Sequence, residues 1–480
     1  MTMLSKLRKK VHRKSWEMCT ALPSVPTTGG FVDCLSDAVF PDNVFMVNGV
    51  NGIWSYTAKE DSWAQLPNSG VAGAYGSGSC GEAREIGMLG GSITNTPTAG
   101  TTNTLTTSRT IVRSLAGAEL RVVSGTGVGY IGTVASNTLG ANSVITVTPA
   151  SPVAFDTTTT FQVFSGSLWF FNAGTSAVGF SVYDRATNAW TAKSVTGLPT
   201  AWGTCGQLIS TGSKEGVFES GTASAGSSTT TLVTNKNWAA ANCYTNNQVR
   251  IVTGTGAGQV RTIASNTTNT LTISAPWTVT PDATSTYVIE GNDDSMYLLG
   301  NNAGSLYKYS ISGNTWATPA PGVARAAVMG AGGSADWVSS VDAWPVGTTT
   351  AAIGGKQPGR FIYSMRGAGS SALDVYDIAL NTWQAISYGG QQETFTTGSC
   401  SFYDGHGSTY FMKEATGRFF KFDIDRNTLH GLAVNPYPQS TTLAADMFWI
   451  DTYTDPGGGS LDFLYQFQHS RVELLRMLLV

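Results

Sequence analysis

The sequence predicts an all-β protein built from repeated four-stranded units, and three observations predict it. The first is an aromatic-x6-aromatic hairpin that recurs along the chain. It runs from Tyr56 to Trp63 (YTAKEDSW), Tyr183 to Trp190 (YDRATNAW), Tyr309 to Trp316 (YSISGNTW) and Tyr376 to Trp383 (YDIALNTW). Phe422 to Leu429 (FDIDRNTL) is the same unit with the tryptophan lost. Internal repetition of this kind marks an architecture whose units bury their faces against one another. The second is composition: 56 of 480 residues are glycine and only 12% are charged, against averages of about 7% and about 25%. Such a chain favours strands and tight turns over helices. The third is that the two long interruptions of the repeat are related to each other.

Taking each hairpin as the junction of a third and a fourth strand, C and D, makes the chain readable in order. FVDCLSDA (31–38), VFMVNG (44–49), GIWSYTAK (52–59) and SWAQLP (62–67) are strands A to D of the first unit. Asn51–Gly52 supplies the positive φ that the tight turn between B and C needs. The second unit starts near Ala74, runs into GMLGG, and resumes after an interruption at SLWFFNAG (167–174), with GFSVYDRA as C and AWTAKSV as D. The third starts at GTCGQLIST (203–211) and resumes at SMYLLG (295–300), SLYKYSI and TWATPAP. The fourth takes ARAAVMG (324–330) as A, then a Gly/Ala/Ser-rich stretch to about residue 358, then RFIYSMRG, ALDVYDIAL and TWQAISY. The fifth reads TFTTGSCSFYDG, STYFMKEA, RFFKFDID and TLHGLAV. TTLAADMFWIDT, LDFLYQFQHS and VELLRMLLV then give three strands without a D strand. KSWEMCTALP (14–23) supplies it from the other end of the chain, which makes Trp16 the sixth anchor.

The interruptions span 93–166 and 212–290. They contain ELRVVSGTGVGYIGTVASNT and QVRIVTGTGAGQVRTIASNT, with Gly125 matching Gly254, and close on TTFQVFSG and STYVIEG. Each reads as a β-domain of roughly 75 residues, near the lower limit of what folds alone. Both lie between strands A and B of neighbouring units, so both are expected to project from one face, side by side. The resulting division is a basic tail (1–13), scaffold (14–92), first insert (93–166), scaffold (167–211), second insert (212–290) and scaffold (291–480). The GTGVG and GTGAG runs are read as hairpin turns. A phosphate loop needs a helix after it, and here a strand pattern stands on both sides.

Candidate chemistry is sparse. A net charge of −3 does not advertise nucleic-acid binding by the whole molecule. No apolar run approaches the length of a membrane span. The start, MTMLSKLRKKVHRKSW, lacks the apolar core of a secretory signal. It reads as a solvated tail or as a docking arm for an acidic surface or DNA. Cys19, Cys34, Cys80, Cys205, Cys243 and Cys400 form no CxxC pair, so free thiols are expected and zinc is not. Asp423, Asp425 and Asn427 open like a calcium loop, but Thr428 and Val434 occupy its glycine and acid positions, and the segment sits where a hairpin must turn. The carboxylates Glu82, Glu85, Asp336 and Asp342 show no pairing, and His12, His406, His430 and His469 join no Ser-His-Asp set. No catalytic, cofactor or metal residue is therefore assigned. Trp16, Trp63, Trp190, Trp316, Trp383, Leu429, Tyr56, Tyr183, Tyr309, Tyr376 and Phe422 are assigned as structural anchors.

The Tyr/Phe-x6-Trp hairpins, together with the glycines ending strand B (Gly49, Gly174, Gly300 and Gly367), resemble the kelch-type β-propellers. The resemblance covers about 330 residues of scaffold. It departs from the family in that the double glycine is mostly absent. It implies a six-bladed ring whose last blade joins both termini. The SGTGAGQVRTIASNT-type segments look like repeats in virion proteins of tailed bacteriophages, and the arrangement resembles the tail nozzle proteins of short-tailed phages. That likeness implies a non-enzymatic virion protein made in the host cytoplasm. It would form a ring of copies, by analogy a hexamer, that meets adaptor and fibres and carries DNA through the ring. A head- or neck-associated virion protein, a carbohydrate-binding or -cleaving receptor protein and a cellular kelch-type adaptor are the alternatives.

Overall fold

The computed structural model describes the strands named below and, with gaps, the connections between residues 61 and 432; side chains are described, again with gaps, from residue 54 to residue 432. All regular structure among the described residues is strand, and none of it is helix. Strand β1 (Trp16–Met18) opens the chain. β2 (Gly30–Cys34), β3 (Asn43–Asn48), β4 (Gly52–Thr57) and β5 (Ser62–Leu66) form an antiparallel meander. β6 (Cys80–Glu85) is followed by a separate seven-stranded sheet: β7 (Ile93–Asn95), β8 (Pro97–Gly100), β9 (Thr104–Thr107), β10 (Glu119–Ser124), β11 (Ile131–Asn137), β12 (Val144–Thr148) and β13 (Thr160–Phe164). β14 (Gly166–Ala173) then returns to pair with β6, and β15 (Val178–Asp184) and β16 (Ala189–Ala192) complete the second meander.

The pattern repeats. β17 (Gly206–Ser210) precedes a six-stranded sheet: β18 (Val217–Thr222), β19 (Thr231–Val233), β20 (Gln248–Thr253), β21 (Val260–Asn266), β22 (Thr270–Ile273) and β23 (Thr286–Glu290). β24 (Ser295–Gly300) rejoins β17 and continues into β25 (Leu306–Ser310) and β26 (Thr315–Ala317). β27 (Ser334–Val338), β28 (Phe361–Met365), β29 (Leu373–Asp377) and β30 (Thr382–Ile386) form the fourth meander. The two-residue β31 (Gly389–Gly390) runs parallel to the edge of the fifth, which is β32 (Cys400–Tyr403), β33 (Ser408–Lys413), β34 (Arg418–Asp423) and β35 (Thr428–Gly431). β36 (Ala445–Thr454), β37 (Ser460–Gln468) and β38 (Glu473–Leu479) form the last, and β1 completes it, with Trp16 opposite Met477.

The first strands of these sheets touch in a closed cycle. β2 meets β6, β6 meets β17, β17 meets β27, β27 meets β32, β32 meets β36, and β36 meets β2. This is a propeller-like, all-β arrangement. It leaves each sheet face covered by its neighbour.

The repeated hairpin explains the seams. Asp61, Asn314 and Asn381 stand five residues after the tyrosine, and each turns the chain with positive φ (48°, 49° and 53°). Their Oδ1 atoms accept the hydroxyls of Tyr56, Tyr309 and Tyr376 at 2.7, 2.6 and 2.6 Å. Asx residues tolerate this left-handed geometry and here also satisfy a buried phenol. Within each hairpin the tyrosine and tryptophan rings lie 4.9–5.2 Å apart. Tyr56, Tyr183, Tyr309, Tyr376, Phe422, Leu429, Trp190, Trp316 and Trp383 are buried, while Trp63 is half-buried. Trp16 lies in β1, and its side chain is outside the described residues.

The anchors also cross the seams. Phe180 of β15 meets Trp316 edge-on at 5.0 Å, and the Trp316 indole donates to Ser194 O at 3.0 Å. Asn314 Oδ1 accepts Ser194 N as well. Gly197 lies so close that a Cβ there would stand 2.7 Å from Trp316 O, and Gly70 approaches Trp190 O in the same way. Gly300 ends β24 because the Trp202 ring lies on it, 2.2 Å from where a Cβ would sit. Gly49 and Gly174 lie outside the described residues.

One strand expectation is corrected. ARAAVMG is not strand A of the fourth sheet; β27 holds that place. Arg325 leaves the repeat to enter a buried site, where it donates to Asp374 Oδ2 and Ser364 Oγ at 2.8 Å each and lies 4.9 Å over the Trp383 ring. Gly332, with φ 75°, turns the chain just before β27. A short apolar run at this place in the repeat does not by itself distinguish a strap from a strand.

Trp316→Ala removes a ring shared by two sheets, and a loss of roughly 3–5 kcal/mol is expected. Chemical denaturation of the purified variant measures it; a wild-type midpoint would undo the seam assignment. Deleting residues 1–23 removes β1 and is expected to lower the melting temperature of the whole scaffold, because β38 loses its partner on one edge and keeps only β37. An unchanged melting curve would show that closure through β1 contributes nothing.

Candidate functional site

The two extra sheets are the parts of the molecule that the ring does not require. Each curls into a small barrel. In barrel 1, β7 and β8 are one strand bent at Thr96, and they sit at opposite edges of the order β7-β13-β10-β11-β12-β9-β8. In barrel 2, β18 pairs with β23, and Ala223 just beyond it bridges to Thr234 just beyond β19. A first strand that serves both edges closes the sheet and removes exposed strand edges. Leu120, Val134, Ile145 and Phe161 fill one barrel; Val249, Ile263, Leu271 and Tyr287 fill the other.

The glycine turns have the same construction in both. Gly125, Gly127 and Gly129 have φ of 77°, 82° and 88°, and Gly254, Gly256 and Gly258 have 78°, 80° and 88°. A strand follows each turn, and no helix N-terminus faces it. An aspartate latches each one. Asp156 Oδ2 accepts the Thr126 hydroxyl at 2.8 Å, and its Oδ1 accepts Thr158 N at 2.8 Å and Thr158 Oγ1 at 2.6 Å. Asp282 makes the matching bonds to Thr255 and Thr284 at 2.7, 2.8 and 2.6 Å. A Cβ on Gly125 or Gly254 would collide with the backbone of Thr158 or Thr284, so the latch requires glycine. The motif pairs S/T-G-T-G-x-G with D-x-T-[ST] about thirty residues on. The Asp–Thr half was legible as DTTT and DATS but carried no signal until the partner turn was in place.

Around these turns lie side chains that a self-contained domain would bury. Val128 is 66% exposed, Ile131 53% and Val153 44% in barrel 1; Val279, the counterpart of Val153, is 50% exposed in barrel 2. Two charged groups stand beside the barrel 1 turn: Asp156, engaged in the latch, and Arg121, opposite Ile131 in the β10–β11 ladder. Exposed apolar side chains grouped in this way suit contact with another protein surface.

The remaining candidates are scattered. Glu82 on β6 accepts Ser210 N at 3.0 Å, whereas Asp336 on β27 accepts the Ser401 hydroxyl at 2.7 Å; each carboxylate joins neighbouring inner strands. Glu85 ends β6, and Asp342, His12, His406 and His469 lie outside the described residues. His430 bonds Thr428 on an outer strand. Asp423, Asp425 and Asn427 form the β34–β35 turn, where Asn427 donates to Ser387 O. No group of three or more His, Cys, Asp or Glu able to hold a metal occurs among the described residues. Cys80, Cys243 and Cys400 are buried and lie outside any disulfide; the other three cysteines are outside the described side chains. Among the described residues, no helix is long and apolar enough to cross a membrane.

No family model matches the chain, and no curated protein matches it. Among solved structures, it is similar to the fucose-specific lectin from Aleuria aurantia, with 9% identity, a TM-score of 0.38, and 95% of this chain and 97% of that one covered. It is also similar to U3-55K, with 8% identity, a TM-score of 0.34, and coverage of 97% and 99%. The GH74 xyloglucanase from Xanthomonas campestris gives 10% identity and a TM-score of 0.35, over 94% of this chain and 43% of that one. Similarity at these scores carries no argument about activity, and the fold stands on the strand pairing itself.

Two kinds of carboxylate predict opposite pH responses. Hydrogen bonds from Thr158 and Thr126 hold Asp156 below the usual carboxylate range, and Thr284 and Thr255 do the same for Asp282. A depressed folded pKa contributes stability above the unfolded value of about 3.9, and that contribution is lost as pH falls through the folded value. Asp156→Asn should therefore flatten the acid limb of barrel 1 melting. Asp336 is half-buried by surface area, but protein encloses its carboxylate, and this burial pushes it up to about 6 against the bonds from Ser401 and Tyr403. A raised folded pKa contributes stability at low pH that disappears as pH rises through about 6. Asp336→Asn is expected to raise the melting temperature at pH 8 relative to wild type and to change it little at pH 4; the opposite order would contradict the assignment.

Proposed function

We propose that the chain is a six-bladed, kelch-type β-propeller that serves as a non-enzymatic structural subunit of a tailed-bacteriophage virion, in the position of a tail nozzle or hub. The paired barrels carry this reading. They follow the first strands of adjacent sheets, are held by the same kind of aspartate latch, and expose valines beside their glycine turns. A duplicated module grafted onto a closed scaffold adds contact surface without changing the ring, which suits a protein that assembles with copies of itself. The resemblance of the insert segments to repeats in phage virion proteins points the same way. Tyr/Trp hairpins and six inner strands in a closed cycle support the blade count.

In this reading the subunits form a ring, by analogy a hexamer. It contacts the adaptor and fibres, and DNA passes through the ring of subunits. A place at the head or neck belongs to the same class.

Electron microscopy of the purified protein tests it. Six-fold rings are the expected result, and isolated discs at all concentrations would overturn it. Val128→Asp combined with Val153→Asp should raise the concentration needed for assembly at least ten-fold while leaving the melting temperature unchanged. Binding or cutting of surface polysaccharide by a monomer would favour a receptor protein instead.

A further inference from the structure

Barrel 2 rests on the fourth sheet through a seam of unusual chemistry. Its apolar part is carried by Phe218, which packs against both the barrel core and the cluster that includes Trp337. Phe218 meets the Trp337 ring at 6.1 Å, and Gly359 gives it room, since a Cβ there would stand 2.5 Å from the Phe218 ring. The rest is polar. Asn246 Nδ2 donates to Ile378 O across the seam at 3.0 Å. Asn292, at the exit of the barrel, donates to Asn246 O at 2.8 Å and accepts Gln248 Nε2 at 3.1 Å. On the propeller side lies the buried pair Arg360–Asp377 at 2.8 Å, with Ala379 N and Leu380 N also donating to Asp377. The pair is close enough to the barrel base for the Arg360 charge to act on Cys243, whose thiol burial pushes up.

Three atoms at this base have no hydrogen-bond partner among the described residues: Thr245 Oγ1, Asn247 Nδ2 and Gln248 Oε1. Asn247 and Gln248 are only 4% and 7% exposed. An unmet buried polar group costs about 1–3 kcal/mol. Groups of this kind are met in folded proteins by ordered water when no protein atom serves. Polar contacts between domains of one chain also hold less firmly than apolar ones. The same costs would vanish if the seam opened, because every orphaned group would meet solvent. Inside the barrel, by contrast, Val249, Ile251, Ile263 and Ile289 are fully buried and form a continuous core.

We infer that barrel 2 is seated on the fourth sheet through a wet, separable joint, and that it lifts from the ring as a unit while both bodies remain folded. The seat is a conformational device: it presents the exposed side of barrel 2 in more than one attitude without unfolding anything. The inference does not depend on what the protein assembles with.

Hydrogen–deuterium exchange of the full-length protein tests it. Amides at Thr245–Asn247 and Ile378–Leu380 should exchange at least ten-fold faster than those of β20, β23, β28 and β29. Asn246→Ala, which removes the side-chain bond across the seam, should accelerate the seat amides about five-fold and leave both cores unchanged. Seat and core amides exchanging at one rate in the wild type would overturn the joint. So would Asn246→Ala leaving the seat unchanged, or accelerating the cores as much as the seat.

Discussion

The constraint on which the rest depends is that no sheet in the scaffold can cover its own faces. Each is a twisted meander about four strands wide, and its apolar residues are satisfied only by the sheets on either side. The cluster joining Trp169, Phe171 and Phe180 to Tyr309 and Trp316 belongs to two sheets at once. So does the cluster joining Tyr297 and Leu299 to Ile362, Tyr376 and Trp383. The core is therefore a series of seams, and the cycle must close before the last seam exists. Pairing of β1 with β38 performs that closure with main-chain hydrogen bonds between the two ends of the chain.

The hairpin is the local device that makes the seams regular. Its turn needs a residue that tolerates positive φ, its tyrosine needs an acceptor, and its tryptophan needs a partner across the seam. One Asx side chain meets the first two needs, and at Asn314 it also reaches the loop of the preceding sheet. In the fifth copy the hydroxyl is gone. Asn427 keeps the turn at φ 52° and uses its amide to bond Ser387 O. The turn is thus more persistent than the aromatic pair that first reveals it. The barrels follow another economy, with a bent first strand that serves both edges and an aspartate latch that holds the glycine turn.

Much of the scaffold was legible because its signals are local. Strands in this fold pair with their immediate successors, so alternation, turn residues and an aromatic at fixed spacing locate them within a few residues. Reading failed where a residue answers to a distant partner. ARAAVMG is a short, mostly apolar run like those of the other first strands, but Arg325 obeys Asp374, forty-nine positions away in sequence. The latch was missed for the same reason: DTTT and DATS are ordinary turn sequences until they meet SGTGVG and TGTGAG. The seat of barrel 2 gave no sign at all, since Asn246 and Ile378 are joined only by a side-chain to main-chain bond.

The sequence by itself determined the class of structure, the repeat, the place of the inserts in the chain and their kinship. These follow from short-range periodicity and from comparison of the chain with itself. Tertiary structure alone decided how the inner strands close into a cycle, which glycines are obligatory, and how barrel 2 meets the ring. The physical reason is range. Turn chemistry and side-chain alternation act over a few residues, whereas steric collision, ion pairing and solvent exclusion act between groups that only folding brings together.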